Sequence, residues 1–175
     1  GDVYKRQPLL VACQQGHTEI VTKLIAANAN VNQAREGGFT PLLVACQEGH
    51  TEIVTKLLAA NADVEQPQIA GATPLHVACL YGHTETAAKL IDAGADVDQA
   101  RDARDARDDG VTPMLIACHQ GHTEVVTTLL TAQADVNQPA NDYTPLYVAC
   151  KEGHTEVVAK LLAANAEVDQ ANNYG

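Results

Sequence analysis

The chain has 175 residues, 46% of them apolar, with no Trp, one Phe and a formal net charge of −11. That acidic balance lacks the clustered Lys and Arg that attract phosphate, so no nucleic-acid partner is expected, nor an anionic membrane surface, and proteins remain as partners. No apolar run approaches the roughly 18–20 residues that span a bilayer, so no membrane insertion is expected either.

The chain is periodic. Gly-His-Thr-Glu begins at Gly16, Gly49, Gly82, Gly121 and Gly153, at intervals of 33, 33, 39 and 32 residues. A period near 33 is the mark of a solenoid, whose units bury their apolar faces against one another. The units run over about 7–39, 40–72, 73–111, 112–143 and 144–175. Residues 1–6 have no repeat register and are read as a non-repeat or artefactual segment. The final Ala171-Asn172-Asn173-Tyr174-Gly175 matches the stretch that elsewhere precedes a new unit, so an interior piece of a longer array is expected.

The first unit opens on Gln7-Pro8-Leu9-Leu10, and the second shows the pattern in full. Thr40 can cap a helix with its hydroxyl, and Pro41 fits the first helical position, where its missing N–H costs nothing. Leu42 to Cys46 form a short apolar helix, which Gly49 ends in a left-handed conformation. Glu52 suits the first turn of a second helix, whose Ile53, Val54, Leu57 and Leu58 share one face. Asn61 closes that helix, and Ala62 to Gln66 run out extended. Neither helix reaches the ~12–15 residues needed for stability alone, so stacking must hold the array. The third unit opens on Thr73-Pro74-Leu75-His76, the fourth on Thr112-Pro113-Met114-Leu115 and the fifth on Thr144-Pro145-Leu146-Tyr147.

These boxes, with Gly82-His83, Leu90-Ile91 and Gly94-Ala95-Asp96-Val97, resemble the ankyrin repeat across residues 7 to 175. The resemblance implies an all-α repeat solenoid of stacked antiparallel helix pairs with short β-hairpin fingers. It also implies non-catalytic protein–protein recognition. Two departures carry expectations. Asn28, Asn61, Gln133 and Asn165 stand where the family has Gly, and Gln tolerates the left-handed region poorly, so the fourth helix pair should end less cleanly. The family's Asn after Asp-Val is kept at Asn32 and Asn137, which the resemblance makes candidate sites of regulatory hydroxylation.

Cys13, Cys46, Cys79, Cys118 and Cys150 occupy one repeat position. Stacked equivalents lie roughly 8–10 Å apart, beyond the ~7 Å a disulfide allows, and no CxxC pair exists for a metal. Buried, reduced thiols are expected, and with them a reducing compartment, cytoplasmic or nuclear. His17, His50, His83, His122 and His154 form a similar column. A tuned active site needs unlike groups converging in one pocket, so these histidines are read as backbone anchors across the turn between units. No phosphate loop or nucleophile elbow is present, and neither enzyme chemistry nor a cofactor is expected.

Between Asp98 and Thr112 the chain grows by six residues and repeats Ala-Arg-Asp three times. Mixed charge favours a solvated loop, with a partner-reaching finger of Arg101, Arg104 and Arg107 as the rival reading. Binding residues should vary between units, and the resemblance implies that they lie on the concave face of finger tips and first-helix ends. The candidates are Phe39, Gln47, Glu48, Leu80, Tyr81, Val111, His119, Gln120, Tyr143, Tyr147, Lys151 and Glu152, among which Phe39, Tyr81, Tyr143 and Tyr147 add the aromatic character common in interface anchors. The primary reading is a monomeric scaffold or adaptor; the second is a regulatory array within a larger enzyme, channel or receptor.

Overall fold

Five helix pairs follow the five-fold pattern in a computed structural model that describes residues 7–102 and 110–169. They are α1 (Pro8–Gln14) and α2 (Thr18–Ala26), α3 (Pro41–Gln47) and α4 (Thr51–Ala59), α5 (Pro74–Tyr81) and α6 (Thr84–Asp92), α7 (Pro113–Gln120) and α8 (Thr123–Thr131), and α9 (Pro145–Glu152) and α10 (Thr155–Ala163). The odd-numbered helices pack one against the next in one row, and the even-numbered helices form a second row behind them. One apolar core runs between the rows, with Leu42, Leu57, Leu75, Leu90, Met114, Leu129 and Leu161 fully buried. Each such side chain contributes about 1.5–3 kcal/mol. Since every helix is shorter than ten residues, this shared core holds them.

Local chemistry sets the helix ends. The hydroxyls of Thr40, Thr112 and Thr144 accept from the N–H groups of Leu43, Leu115 and Tyr147 at 3.1, 3.3 and 3.2 Å. Each satisfies a donor that a helix start leaves free. The second helices end on Asn28, Asn61, Gly94, Gln133 and Asn165, all at positive φ. Gln133, expected to end its helix less cleanly, does not: its φ is 63°, against 59° at Asn61. Its N–H donates to the Leu130 carbonyl at 3.0 Å, as Asn61 donates to Leu58. The departure from Gly therefore costs energy rather than geometry.

The expected β-hairpin fingers are not formed. Among the described residues there is no strand, and the single antiparallel bridge joins Ala140 to Tyr143. At 35–39, 68–72 and 140–143 the fingers are tight turns instead, and the longer third one is described only at its base. Arg35 N–H donates to the Phe39 carbonyl, Gln68 to Ala72, Arg101 to Val111 and Ala140 to Tyr143, each at 3.0–3.1 Å. The chain reverses so sharply that the arms are too short for a second ladder pair. Asn141 and Asp142, both at positive φ, carry the last turn without glycine. Neighbouring fingers then bond to each other, as in Ile69 N–H to the Gly37 carbonyl at 3.0 Å.

All five cysteines are free thiols, which fits a reducing compartment, cytoplasm or nucleus. Cys13, Cys46, Cys79 and Cys118 are buried as expected, while Cys150 is exposed. No described helix packs on α9 from the side away from α7. Burial pushes the Cys13 and Cys118 thiols up to about 12 and raises those of Cys46 and Cys79 as well, so these four are inert packing groups. Of the Ala-Arg-Asp run, Arg104 and Arg107 lie outside the described residues.

Candidate protein-interaction face

Two ladders fix the register of the units. In the first, the imidazoles of three Gly-His pairs reach back one unit. His83 Nε2 lies 3.0 Å from the Gln47 carbonyl, His122 Nε2 3.2 Å from that of Leu80 and His154 Nε2 3.0 Å from that of His119. A carbonyl only accepts, so Nε2 carries the proton in all three. At His83, His122 and His154 the column provides the backbone anchor expected of it. Among the described residues no group of three His, Cys, Asp or Glu could hold a metal ion, and no helix there is long and apolar enough to cross a membrane.

The second ladder uses the position after Asp-Val. Asn32 Oδ1 accepts from Asp63 N–H at 2.8 Å, Glu65 Oε1 from Asp96 at 2.7 Å, Asp98 Oδ1 from Asp135 at 2.9 Å and Asn137 Oδ1 from Glu167 at 2.9 Å. Asn, Glu and Asp interchange here because the position asks only for a side-chain acceptor. Burial raises the Glu65 carboxyl above its ordinary value, the Asp96 N–H opposes this, and the charges of Asp96 and Asp63 add to the rise. Asn32 and Asn137, the candidate hydroxylation positions, are therefore both engaged in holding the next unit. The Asn32 amide also donates to the Asn61 carbonyl at 3.4 Å.

With units in register, the turns and the odd-numbered helices enclose a groove of about 630 Å³. Its floor is built from Val77 and Leu80 of α5 and Leu115 and Ile116 of α7. Its wall is built from the turns, through Gln68, Val111, Asn141 and Tyr143. Of the sequence candidates, the groove brings together Leu80, Val111, His119, Gln120 and Tyr143. Tyr147 stacks on Tyr143 with ring centroids 5.0 Å apart and so extends the groove's aromatic end. Both tyrosines and Leu80 are 40–45% exposed.

The other candidates sit elsewhere. Tyr81 stacks on His83 at 6.2 Å. Phe39 is half-buried beneath Arg35, whose guanidinium carbon lies 4.8 Å from the ring centre. Gln47 donates to Glu48 at the end of α3. Glu152 lies 4.0 Å from His119 and 3.8 Å from Lys151, close to the groove but outside its lining.

Gln68, Val77, Ile116 and Val148 also line the groove, and of these Val77 and Ile116 are buried core residues as well. Val77, Ile116 and Val148 occupy one apolar repeat position, with Val11 and Val44, and read as core. The available signal was that α5 and α7 are apolar nearly all round. A helix in a two-row stack can turn only part of its circumference to the core.

His76 lies at the groove floor and is 1% exposed. Its Nδ1 is 2.8 Å from the Thr73 hydroxyl and its Nε2 is 3.0 Å from the Val111 carbonyl. Burial holds its pKa down to about 4; the bond to Val111 opposes this, and the nearby Arg101 charge adds to it. The imidazole is therefore neutral at pH 7, with its proton on Nε2.

The sequence pattern of the family described as ankyrin repeats, in three copies, matches residues 9–101 and 99–172. The chain belongs to the ankyrin-repeat family. Comparison with curated proteins gives no match. Family membership supports a non-catalytic role in protein interaction in general terms.

Proposed function

We propose that the chain is a scaffold or adaptor module that docks a protein partner along the groove between the turns and the first helices. The observation that carries this reading is the groove itself: a concavity across neighbouring units over an apolar floor on which Leu80 stands exposed, lined at Leu80, Val111, His119, Gln120 and Tyr143 by residues that differ between repeats. Repeat positions that build the stack must stay alike, so variation concentrated around one open surface favours recognition there. The partner is a protein rather than a nucleic acid, since a chain of net charge −11 repels phosphate.

The test compares two single substitutions that each add one negative charge. Leu80→Glu places it in the groove floor, and Thr131→Glu places it at the exposed end of α8. Proteins retained by the immobilised wild-type chain should fall at least about tenfold with Leu80→Glu, because burying an unpaired carboxylate costs more than the ~1.4 kcal/mol of one decade. They should be unchanged with Thr131→Glu. Equal retention by both variants would remove the groove from consideration.

A further inference from the structure

We infer that the segment which fills the groove is an extended, apolar peptide, free of Lys and Arg where it crosses the floor, although the chain as a whole is strongly acidic. This presupposes the docking groove proposed above and specifies what that groove selects. The chain carries 22 Asp and Glu against 11 Lys and Arg, a balance that by itself draws basic partners. The groove departs from that balance. Among the described residues that line it there is no carboxylate, and the one permanent charge is that of Arg101, whose Nη2 donates to the Ala70 carbonyl at 3.1 Å. At the lip, Glu152 lies 4.0 Å from His119 Nε2 and 3.8 Å from Lys151 Nζ, so acid and base stand together there. An ammonium or guanidinium laid on this floor would lose its water, find no carboxylate in the lining and face the Arg101 charge. Burying a charge without a partner is costly. Charges farther off help little, since salt screens them beyond roughly 8 Å at physiological ionic strength.

Apolar contact is offered at two places. Leu80 stands 40% exposed near the end of α5, and the stacked pair of Tyr143 and Tyr147 stands 44–45% exposed at the start of α9. Helices α5, α7 and α9 pack in succession, so at roughly 8–10 Å per step the two anchors stand about 16–20 Å apart. An extended chain rises about 3.3 Å per residue and crosses that span in about five or six residues. A helix, at about 1.5 Å per residue, needs about 11–13. Gln68 of the wall and Gln120 of α7 each bring an amide that both donates and accepts. An extended backbone can use such groups, whereas a helix already bonds its own.

The experiment selects a displayed library of random 16-residue peptides on the full immobilised chain. The selected peptides, made as fluorescent probes, are then titrated with wild type, Leu80→Glu, Leu80→Ser and Thr131→Glu at 50 and 500 mM NaCl. The expected peptides carry two apolar residues about four to six positions apart with no Lys or Arg between them. Their affinity should fall at least about tenfold with Leu80→Glu and about three- to tenfold with Leu80→Ser, which removes the apolar contact without adding a charge. It should be unchanged with Thr131→Glu and vary by less than about threefold between the two salt concentrations. Peptides that depend on Leu80 but carry Lys or Arg between the anchors overturn the inference and leave the groove standing. So do Leu80-dependent peptides with anchors 11–13 positions apart, and those whose affinity falls more than threefold in high salt. Peptides indifferent to both Leu80 substitutions, or no selected peptide at all, remove the groove reading and the inference with it.

Discussion

Gly49 and His83 are made for one another across the second and third units. The His83 ring lies where a Cβ on residue 49 would stand, 2.6 Å from its Cε1, while its Nε2–H holds the Gln47 carbonyl at 3.0 Å. Gly49 also has φ 70°, which residues with a Cβ adopt only at a cost. Gly49→Ala therefore meets two penalties, the left-handed backbone and the displaced imidazole. Gly94, at φ 93° with nothing within 4 Å of its Cβ position, meets only the first. In urea unfolding, Gly49→Ala should lose about 2–4 kcal/mol and Gly94→Ala about 1–2 kcal/mol. Equal losses would mean that the ring contact contributes nothing.

The acceptor ladder makes a second prediction. Asp98 accepts from Asp135 N–H at 2.9 Å, and the equivalent positions carry Asn32, Glu65 and Asn137. Asp98→Asn keeps an acceptor and should leave stability within about 0.5 kcal/mol, whereas Asp98→Ala should lose about 0.5–1.5 kcal/mol. Chemical denaturation of both variants tests this. If Asn costs as much as Ala, charge rather than hydrogen bonding holds the step.

Much of this architecture is written locally in the sequence. Pro41, Gly49 and Asn61 each impose a backbone conformation within their own unit, so helix starts and ends follow from the residues alone. The fingers do not. Gly37-Gly38 and Asn141-Asp142 signal a reversal, but whether paired strands follow depends on how far the arms run together, and here they part after one pair. Cys150 shares its register with four buried cysteines and is exposed because burial comes from the neighbouring helix, not from register. The groove is legible where a residue breaks the repeat, as at Leu80, His119 and Tyr143. It is illegible at Val77 and Ile116, buried core residues whose edges also form part of the groove lining.

Gln133 is a site where stability can be gained. It holds φ 63° with a side chain that gains nothing from that conformation, at a position filled elsewhere by Asn or Gly. Gln133→Gly or Gln133→Asn should raise stability by about 0.5–1 kcal/mol and leave the bonds of Gln133 and Ala134 N–H to the Leu130 and Leu129 carbonyls in place. Thermal unfolding would show the gain as a higher midpoint, and a lower midpoint in both variants would contradict it.

The acid limb of stability belongs in part to His76. Its pKa is held down to about 4 in the folded chain, against an ordinary 6.5 once unfolded. A depressed folded value means that the unfolded chain binds the proton first as pH falls. The contribution is therefore complete above pH 6.5, declines as pH falls from 6.5 towards 4 and is gone below 4. The shift corresponds to about 3 kcal/mol. Carboxylates also titrate towards the lower end of this range, so the measurement is a difference: unfolding free energy against pH for wild type and His76→Gln, which keeps a donor and an acceptor but binds no proton. The two curves should run parallel above pH 7, and the difference between them should change by about 3 kcal/mol between pH 6.5 and pH 4, wild type losing more. Parallel curves throughout would show that His76 is not held neutral by its burial.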